Sequence, residues 1–462
     1  MPDRRDDLDS WLDGRIDPLP PPPGTFELIK KRARRRKYRR LAVGAGAAAV
    51  IVAAAVAVPQ MVNLPVLNSP TAAPAANGRA SVPTPSASRG ADTASSAASS
   101  VPRSVPPPVP GKFRPSSVTF IGTQTGWVIG QAGTPGHCAT PYCTSVARTD
   151  NAGKTWIGVP APLTGPADGA TGVSQIRFLN GADGWAFGPQ LYATHDGGHT
   201  WAQVVTGGLR VTDLETVGGR AFALFASCTG TGPAFADDCV SYTLYSSPAS
   251  ADNWTPVGPA TSGLSGGAAS MVLTETRGYL LAPDRMLYSG PVNGLVNGPV
   301  NGRAPWQPVA RIPCPVGQPL TDGQPTGALL AAANTANLVL VCASSVVPGT
   351  QQAKQVFTSA DGGVTWQNAG AAPGLGLATW VAATPDGTYV LATGRAIDVR
   401  PAGSGAWQAA TLTRPVPTGG FGYVGMTTDA QGIALPADPA AGTVWFTFDG
   451  GQSWKASRLN SP

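Results

Sequence analysis

A short motif recurs along the chain and strongly limits the folds that it can adopt. It is written S/T-x-D-x-G-x-S/T-W, and three copies match it, at residues 194–201, 359–366 and 447–454. A fourth copy, at residues 149–156, has Asn151 at the aspartate position. The Asp or Asn accepts hydrogen bonds from turn amides, glycine supplies a positive φ, and the tryptophan starts a strand and buries a large apolar surface. The motif therefore predicts four equivalent turns, each leading into a β-strand.

We expect these residues to hold turns together and not to bind a metal or act in catalysis, because the motif lacks the alternating oxygen ligands of a calcium loop. The residues with this expected structural role are Asn151, Gly153, Trp156, Asp196, Gly198, Trp201, Asp361, Gly363, Trp366, Asp449, Gly451 and Trp454. His195 and His199 lie inside the second copy, and we expect both to be solvated.

Tryptophans extend the repeat beyond the four copies. Trp254, Trp306 and Trp407 stand in weaker copies, and all seven repeat tryptophans are separated by 41 to 60 residues. A four-stranded propeller blade needs about 40–50 residues. The intervals also hold four strand-like runs each, as at 173–179, 184–187, 190–194 and 200–205. The sequence therefore predicts an all-β protein, with a seven-bladed β-propeller of four-stranded blades over residues 116–460.

The composition agrees with many short strands joined by turns. The 462 residues include 58 Gly and 46 Pro, and only 13% are charged. The formal net charge is +6, but residues 1–40 alone contain 12 Lys or Arg against 7 Asp or Glu. The positive charge thus belongs to a short tail, acidic first and basic afterwards, and it does not indicate a nucleic-acid-binding domain.

An apolar segment follows this tail. Residues 41–58 are uncharged, and 18 helical residues span about 27 Å, close to the roughly 30 Å of a hydrocarbon core. Because basic residues stay on the cytoplasmic side, the sequence predicts a signal-anchor: a cytoplasmic tail at 1–40 and a single transmembrane helix at 41–58. The rest of the chain is then extracytoplasmic at the cell membrane. The alternative is a cleaved signal peptide with an unusually long leading region.

Residues 59–115 are rich in Pro, Ala, Ser and Thr, without a repeat period. Such a segment cannot bury enough apolar surface to offset the entropy lost on ordering, so we expect a disordered linker.

All six cysteines lie on the expected extracytoplasmic side, and their even number indicates disulfides in an oxidising compartment. Fifteen pairings are possible, and the simplest is local: Cys138 with Cys143, Cys228 with Cys239, and Cys314 with Cys342. In a propeller, all three pairs would fall on the face opposite the repeated turns. We hypothesise that this face is the binding surface; the alternative is that long exposed loops simply need covalent support.

The repeated motif resembles the Asp-box, or bacterial neuraminidase repeat, found in sialidases, sortilin-type receptors and xyloglucanase-type glycosidases. A Gly-Trp pair followed by Gly, as at Gly126-Trp127 and Gly130, precedes the turn motif and is most similar to the photosystem II assembly factor family. That resemblance implies seven blades, a structural role for the motif, and a non-catalytic assembly function. No residue indicates a photosystem client.

The functional expectation is a membrane-anchored extracytoplasmic scaffold that binds an envelope protein or a glycan, without a cofactor, metal or nucleic acid. The alternative is a sialidase-like glycoside hydrolase at the cell surface. A sialidase needs an arginine cluster, a tyrosine nucleophile activated by a glutamate, and an aspartate acid/base, whereas Glu215 and Glu275 are the only glutamates outside the tail. We therefore identify no catalytic residue.

Overall fold

The computed structural model describes residues 107–134, 136–138, 142–168, 170–229, 239–262, 269–293, 305–314, 327–347 and 351–459. The predicted tail, transmembrane segment and most of the predicted linker lie outside these ranges. Within them, no helix has the length and apolar character needed to cross a membrane.

The described strands form seven sheets, which we call blades 1 to 7 in chain order. Blade 1 consists of β1 (Arg114–Phe120), β2 (Gly126–Gln131), β3 (Thr144–Thr149) and β4 (Ile157–Val159). Blade 2 consists of β5 (Gln175–Phe178), β6 (Gly184–Phe187), β7 (Leu191–Thr194) and β8 (Ala202–Gln203). Blade 3 consists of β9 (Arg210–Val217), β10 (Arg220–Cys228), β11 (Cys239–Pro248) and β12 (Thr255–Ser262). Blade 4 consists of β13 (Ser270–Leu273), β14 (Arg277–Leu281), β15 (Met286–Pro291) and β16 (Gln307–Arg311).

The remaining three blades follow the same pattern. Blade 5 consists of β17 (Ala328–Ala332), β18 (Leu338–Val347), β19 (Gln351–Ser359) and β20 (Gln367–Ala372). Blade 6 consists of β21 (Ala378–Ala383), β22 (Tyr389–Thr393), β23 (Ile397–Arg400) and β24 (Gln408–Ala409). Blade 7 consists of β26 (Phe421–Met426), β27 (Gly432–Pro436), β28 (Thr443–Thr447) and β29 (Ser453–Arg458), with β25 (Thr411–Leu412) added at its outer edge and a 3₁₀ helix at Pro439–Ala441.

The prediction of a seven-bladed propeller of four-stranded blades is confirmed. In every blade the four strands pair in chain order as an antiparallel meander, and from blade 1 to blade 7 the first strand of each blade contacts the first strand of the blade that follows it in the chain. Six of the seven repeat tryptophans immediately precede the fourth strand of their blade, and Trp454 is the second residue of β29. The spacing of these tryptophans therefore equals the spacing of the blades.

The core consists of seven apolar layers, one between each pair of neighbouring blades. The layer between blades 1 and 2 shows the packing: the Trp127 indole stacks on the Phe178 ring with centroids 3.8 Å apart. Large aromatic side chains suit this position because each one fills the wedge between two twisted sheets.

Blade 7 closes the ring against blade 1 without a strand shared between the two. Phe446 of β28 lies in one apolar layer with Val118 and Val128 of blade 1. Two hydrogen bonds cross the same boundary: Gln431 Nε2 donates to the Thr123 carbonyl at 3.0 Å, and Ser457 Oγ donates to the Gly153 carbonyl at 3.3 Å. Closure protects the strand edges that an open sheet would expose.

The described chain enters blade 1 before residue 116. The Gly158 amide donates to the Pro107 carbonyl at 2.9 Å, Phe113 is buried, and β1 begins at Arg114. The end of the predicted linker thus runs beside the outer strand β4 at Pro107, and Phe113 packs in the apolar layer between blades 1 and 7.

Replacing Phe446 with alanine is expected to lower the free energy of unfolding by about 3–5 kcal/mol, because a buried ring would leave a cavity where the propeller closes. Phe448, two residues further on, is 58% exposed, so Phe448→Ala should cost less than about 1 kcal/mol. Denaturant unfolding of the two variants compares them directly. Equal losses of unfolding free energy in the two variants would mean that the contact of Phe446 between blades 7 and 1 does not stabilise the closed ring.

Candidate functional site

The propeller presents two faces, which the strand order defines. The loops between first and second strands and between third and fourth strands lie at one end of the sheets, and we call this end the turn face. The loops between second and third strands lie at the other end, together with the connections between blades. This second end carries the disulfides, and we call it the stapled face.

All three predicted disulfides are present, with the predicted pairing. Cys138–Cys143 and Cys228–Cys239 each close a loop between second and third strands. Cys314 follows blade 4 and is joined to Cys342 of β18. The strand β18 continues beyond Cys342 to Val347, because it pairs with β19 there as well.

Exposed apolar side chains are concentrated on the stapled face. Among the described residues, nine large hydrophobic side chains are exposed, and six of them lie on this face. Val205, in the connection from blade 2 to blade 3, is 92% exposed, and Leu163, in the preceding connection, is 74% exposed. The other four on the stapled face are Tyr142, Val240, Leu375 and Val416. Val364 and Phe448 lie on the turn face, and Trp380 lies within the innermost strand β21.

The repeated motif forms four turns on the turn face, between the third and fourth strands of blades 1, 2, 5 and 7. We call them the aspartate turns (149–156, 194–201, 359–366 and 447–454). In the turn of blade 2, Asp196 accepts hydrogen bonds from the Thr194 hydroxyl at 2.8 Å, the Thr200 amide at 2.8 Å and the Thr200 hydroxyl at 2.6 Å. The Gly198 amide donates to the Thr194 hydroxyl at 3.0 Å.

The other three turns repeat this hydrogen bonding, so the structure brings each Asp or Asn together with its own turn and not with another turn. Asn151 keeps the geometry, since its Oδ1 accepts from the Thr155 amide at 2.9 Å and its Nδ2 donates to the Thr155 hydroxyl at 2.7 Å. Asp361 accepts from the Thr365 amide and hydroxyl, and Asp449 from those of Ser453.

These contacts lower the pKa of the turn carboxylates. The side-chain and backbone donors of Thr365 hold the pKa of Asp361 at about 2. For Asp196, burial works in the opposite direction, but the donors of Thr200 and Thr194 outweigh it and the pKa again falls to about 2. Because the carboxylate oxygens already accept these hydrogen bonds, the turns have the properties of structural elements.

The turn glycines share one backbone conformation, whereas the turn tryptophans differ in how deeply they are buried. Gly153, Gly198, Gly363 and Gly451 all have a positive φ. A side chain at Gly153 would also collide with the Phe446 ring, since a Cβ there would lie 2.2 Å from it. Trp454 is 1% exposed and Trp156 9% exposed, whereas Trp201 and Trp366 are only half-buried, so the expected burial holds fully at two of the four copies.

His195 is exposed to solvent, as expected, but it also lies between two carboxylates of different blades, which the sequence did not predict. Its Nδ1 is 2.8 Å from Asp183 of the first turn of blade 2, and its Nε2 is 2.9 Å from Asp252 of blade 3. Asp252 also accepts from the Trp185 indole at 3.0 Å. Burial lowers the pKa of His195, but the hydrogen bonds to Asp183 and Asp252 outweigh burial and raise it overall.

The inner strands bring charged side chains together around the axis of the ring. Arg177 of β5 is buried, and its Nε and Nη2 each lie 3.1 Å from the Glu215 carboxylate of β9. Its Nη1 donates to the Ile176 carbonyl at 2.9 Å and to the Ser117 hydroxyl of β1 at 3.3 Å. Arg177 therefore joins blades 1, 2 and 3 and has its donors satisfied within the protein.

Two further groups lie near this ion pair. Asp213 of β9 accepts from the Met271 amide of blade 4 at 2.8 Å, and burial together with repulsion from Glu215 raises its pKa. Burial also raises the pKa of Tyr423 of β26, with Arg177 opposing the shift and Glu215 adding to it. The group thus contains Arg, Glu, Asp and Tyr, but the tyrosine is shifted away from the phenolate form that a nucleophile needs.

Sequence reasoning missed this inner group and the role of His195. Arg177 and Glu215 are 38 residues apart, and His195 and Asp252 are 57 residues apart. The available signal was the presence of charged residues inside runs expected to be inner strands. Among the described residues, no group of His, Cys, Asp and Glu is placed to hold a metal ion.

Comparisons with known proteins do not assign a family. No protein-family model and no curated protein matches the chain. A solved structure of YCF48 bound to D1 peptide shares 16% identity, covers 76% of this chain and 84% of that one, and has a TM-score of 0.35. YCF48 from Cyanidioschyzon merolae gives 15% identity, 66% and 88% coverage and a TM-score of 0.43. An ancestral GH74 enzyme gives 13% identity, 76% and 47% coverage and a TM-score of 0.46. These values are too low to support a functional argument, and the fold rests on the strand order above.

Replacing Asp361 with Asn should make stability less dependent on pH in the acid range. Because the folded pKa of Asp361 lies below the ordinary aspartate value of 3.8, the carboxylate stabilises the fold above pH 4, and this contribution disappears as the pH falls towards 2. The difference in unfolding free energy between wild type and Asp361→Asn should shrink over that window. Asn151→Asp is the reciprocal variant and should gain the same dependence. A difference that stays constant from pH 5 to 2 would contradict the assignment.

His195 should stabilise the contact between blades 2 and 3 in its protonated form. Its folded pKa lies above the ordinary histidine value of 6.5, so the contribution is fully present below pH 6.5 and is lost as the pH rises through the folded pKa. Unfolding of wild type and His195→Gln, compared across this window, measures it. An NMR titration of His195 in Asp252→Asn should give a lower pKa than in wild type, and an unchanged value would refute the bridge.

Proposed function

We propose that this chain is a membrane-anchored extracytoplasmic propeller that acts as a non-catalytic scaffold, binding a protein or a glycan at the cell envelope. The apolar segment 41–58 and the basic run before it support a single span with residues 1–40 in the cytoplasm. The three disulfides support an oxidising compartment for the propeller.

One observation carries the proposal of a binding surface: six of the nine exposed large hydrophobic side chains among the described residues lie on the stapled face. Single exposed apolar residues are ordinary on a protein surface, but their concentration on one side is not. The disulfides support the loops that present them, so less conformational freedom is lost on binding.

We further propose that the aspartate turns are Asp-boxes with a structural role. Their carboxylates are occupied by hydrogen bonds within each turn. The order of their motifs is most similar to the photosystem II assembly factor family, which favours a role in assembling or stabilising an envelope complex. The identity of that complex is not part of the proposal.

A sialidase-like hydrolase is the alternative, and one observation favours it: the inner strands bring Arg177, Glu215, Asp213 and Tyr423 together. Two features weigh against it. Arg177 is a single arginine whose donors are satisfied by Glu215, Ser117 and a backbone carbonyl. The raised pKa of Tyr423 disfavours nucleophilic attack.

A photo-crosslinking residue placed at Val205 of the full chain, in its own membrane, should form protein or glycan adducts, because this side chain projects from the proposed binding face. The same residue at Val364, which is 59% exposed on the turn face, is the matched control. Adducts at Val364 alone, or at neither position, would count against the proposed surface. The purified full chain should also leave a panel of fluorogenic glycosides intact, and turnover abolished by Tyr423→Phe would favour the hydrolase.

A further inference from the structure

Five of the six exposed Lys or Arg side chains on the described stapled face lie on one side of the ring, and the sixth, Arg311, ends β16 of blade 4. We define the basic sector as the stapled-face ends of blades 6, 7 and 1. The members of the basic sector are Lys112, Arg114, Leu375, Arg395, Arg414, Val416 and Arg458.

Five exposed cations lie in this sector: Lys112 and Arg114 at the start of blade 1, Arg395 between β22 and β23, Arg414 before blade 7, and Arg458 at the end of β29. Among the described residues of the sector, Asp438 is the one carboxylate, and its side chain accepts from the Ala440 amide at 2.8 Å. The exposed charge of the sector is therefore strongly positive.

The opposite ends of the same three blades are different. The turn face of blades 6, 7 and 1 carries the exposed carboxylates Asp150, Asp386, Asp429 and Asp449. The cations there include Arg148, whose guanidinium pairs with Asp150 at 2.9 Å. Lys154 and Lys455 are also exposed there, so the turn ends of these blades carry charges of both signs, whereas their stapled ends are mainly positive. A charged partner would therefore approach the two faces differently.

Apolar groups lie among the cations of the basic sector. Leu375 is 59% exposed and Val416 42%. Trp380, which follows Leu375 on the innermost strand β21, is 41% exposed. The Trp380 ring also contacts the Tyr423 ring, with centroids 5.1 Å apart. Pro415 and Pro417 flank Val416, and their fixed φ values limit the conformations of this connection. Arg414 and Val416 are therefore presented together by a preorganised segment.

Backbone contacts hold the sector in one shape. The Gly394 amide donates to the Leu377 carbonyl at 2.9 Å, and the Ala437 amide donates to the Gly420 carbonyl at 2.9 Å. Gly420, with a φ of 72°, lies so close to Gly394 that a Cβ would come within 2.2 Å of its carbonyl carbon. The connections that enter blades 6 and 7 are thus joined to the neighbouring loops, and binding requires little reordering.

We propose that the basic sector is the docking surface of the scaffold and that its partner is a protein surface rich in carboxylates with apolar side chains between them. This inference rests on the proposed function. Arginine, which outnumbers lysine four to one among these cations, forms paired hydrogen bonds with carboxylates and is enriched with aromatic residues at protein interfaces. A lipid surface would instead favour cations spread around the whole face, because a flat face would touch a bilayer along its full rim.

The test uses a short fluorescent peptide of alternating glutamate and leucine and the full chain in nanodiscs of neutral phosphatidylcholine. Wild type should bind this peptide, should not bind the lysine–leucine counterpart, and should lose affinity as salt rises. The double variant Arg414→Glu/Arg458→Glu should bind at least about tenfold more weakly. Lys154→Glu/Arg277→Glu, which reverses two exposed cations of the turn face, is the matched control and should bind as wild type does.

Three results would overturn the inference: equal peptide binding by the two double variants, peptide binding that does not respond to salt, or association with phosphatidylglycerol vesicles that Arg414→Glu/Arg458→Glu abolishes while peptide binding persists. Both sets of substitutions lie at exposed positions, and unfolding curves check that each variant is folded. Crosslinking separates this inference from the proposed function. If the basic sector fails these tests but crosslinking at Val205 still gives adducts, the proposed scaffold function is retained and the docking surface lies elsewhere on the stapled face.

Discussion

The propeller depends on the packing of apolar side chains between neighbouring blades. Each four-stranded sheet has two faces, and each face is buried only when another blade lies against it. Seven such layers are present, including the one between blades 7 and 1 that closes the ring. Because a blade alone leaves both faces exposed, the stability of each blade is coupled to that of its two neighbours.

Polar groups add a second set of contacts across the same boundaries, at three levels. Around the axis, Arg177 joins three blades through Ser117 and Glu215. At the turn face, His195 joins two blades through carboxylates. At the stapled face, disulfides close loops within or between blades. The turn face is therefore rich in internally satisfied polar groups, whereas the stapled face retains exposed apolar groups and cations. This difference is why we assign binding to the stapled face.

Much of the fold could be predicted because its signals are local. Each aspartate turn is defined within eight residues, and the tryptophan that ends it marks the fourth strand of a blade. The cysteine pairing was also predictable, since each pair is close in sequence and lies near neighbouring strand ends. The candidate site was predictable only as a face. Which residues of that face are exposed depends on how the connections fold over the blade ends, and no sequence period encodes this.

The amino-acid sequence by itself determined the type of secondary structure, the number of blades and the disulfide pairs, because turn chemistry and strand length act over a few residues. Tertiary structure alone decided which distant residues meet: Arg177 with Glu215, His195 with Asp252, and the cations of blades 6, 7 and 1 on one surface. The physical reason is ring closure, which fixes the angle between successive blades and so places residues from separate repeats side by side.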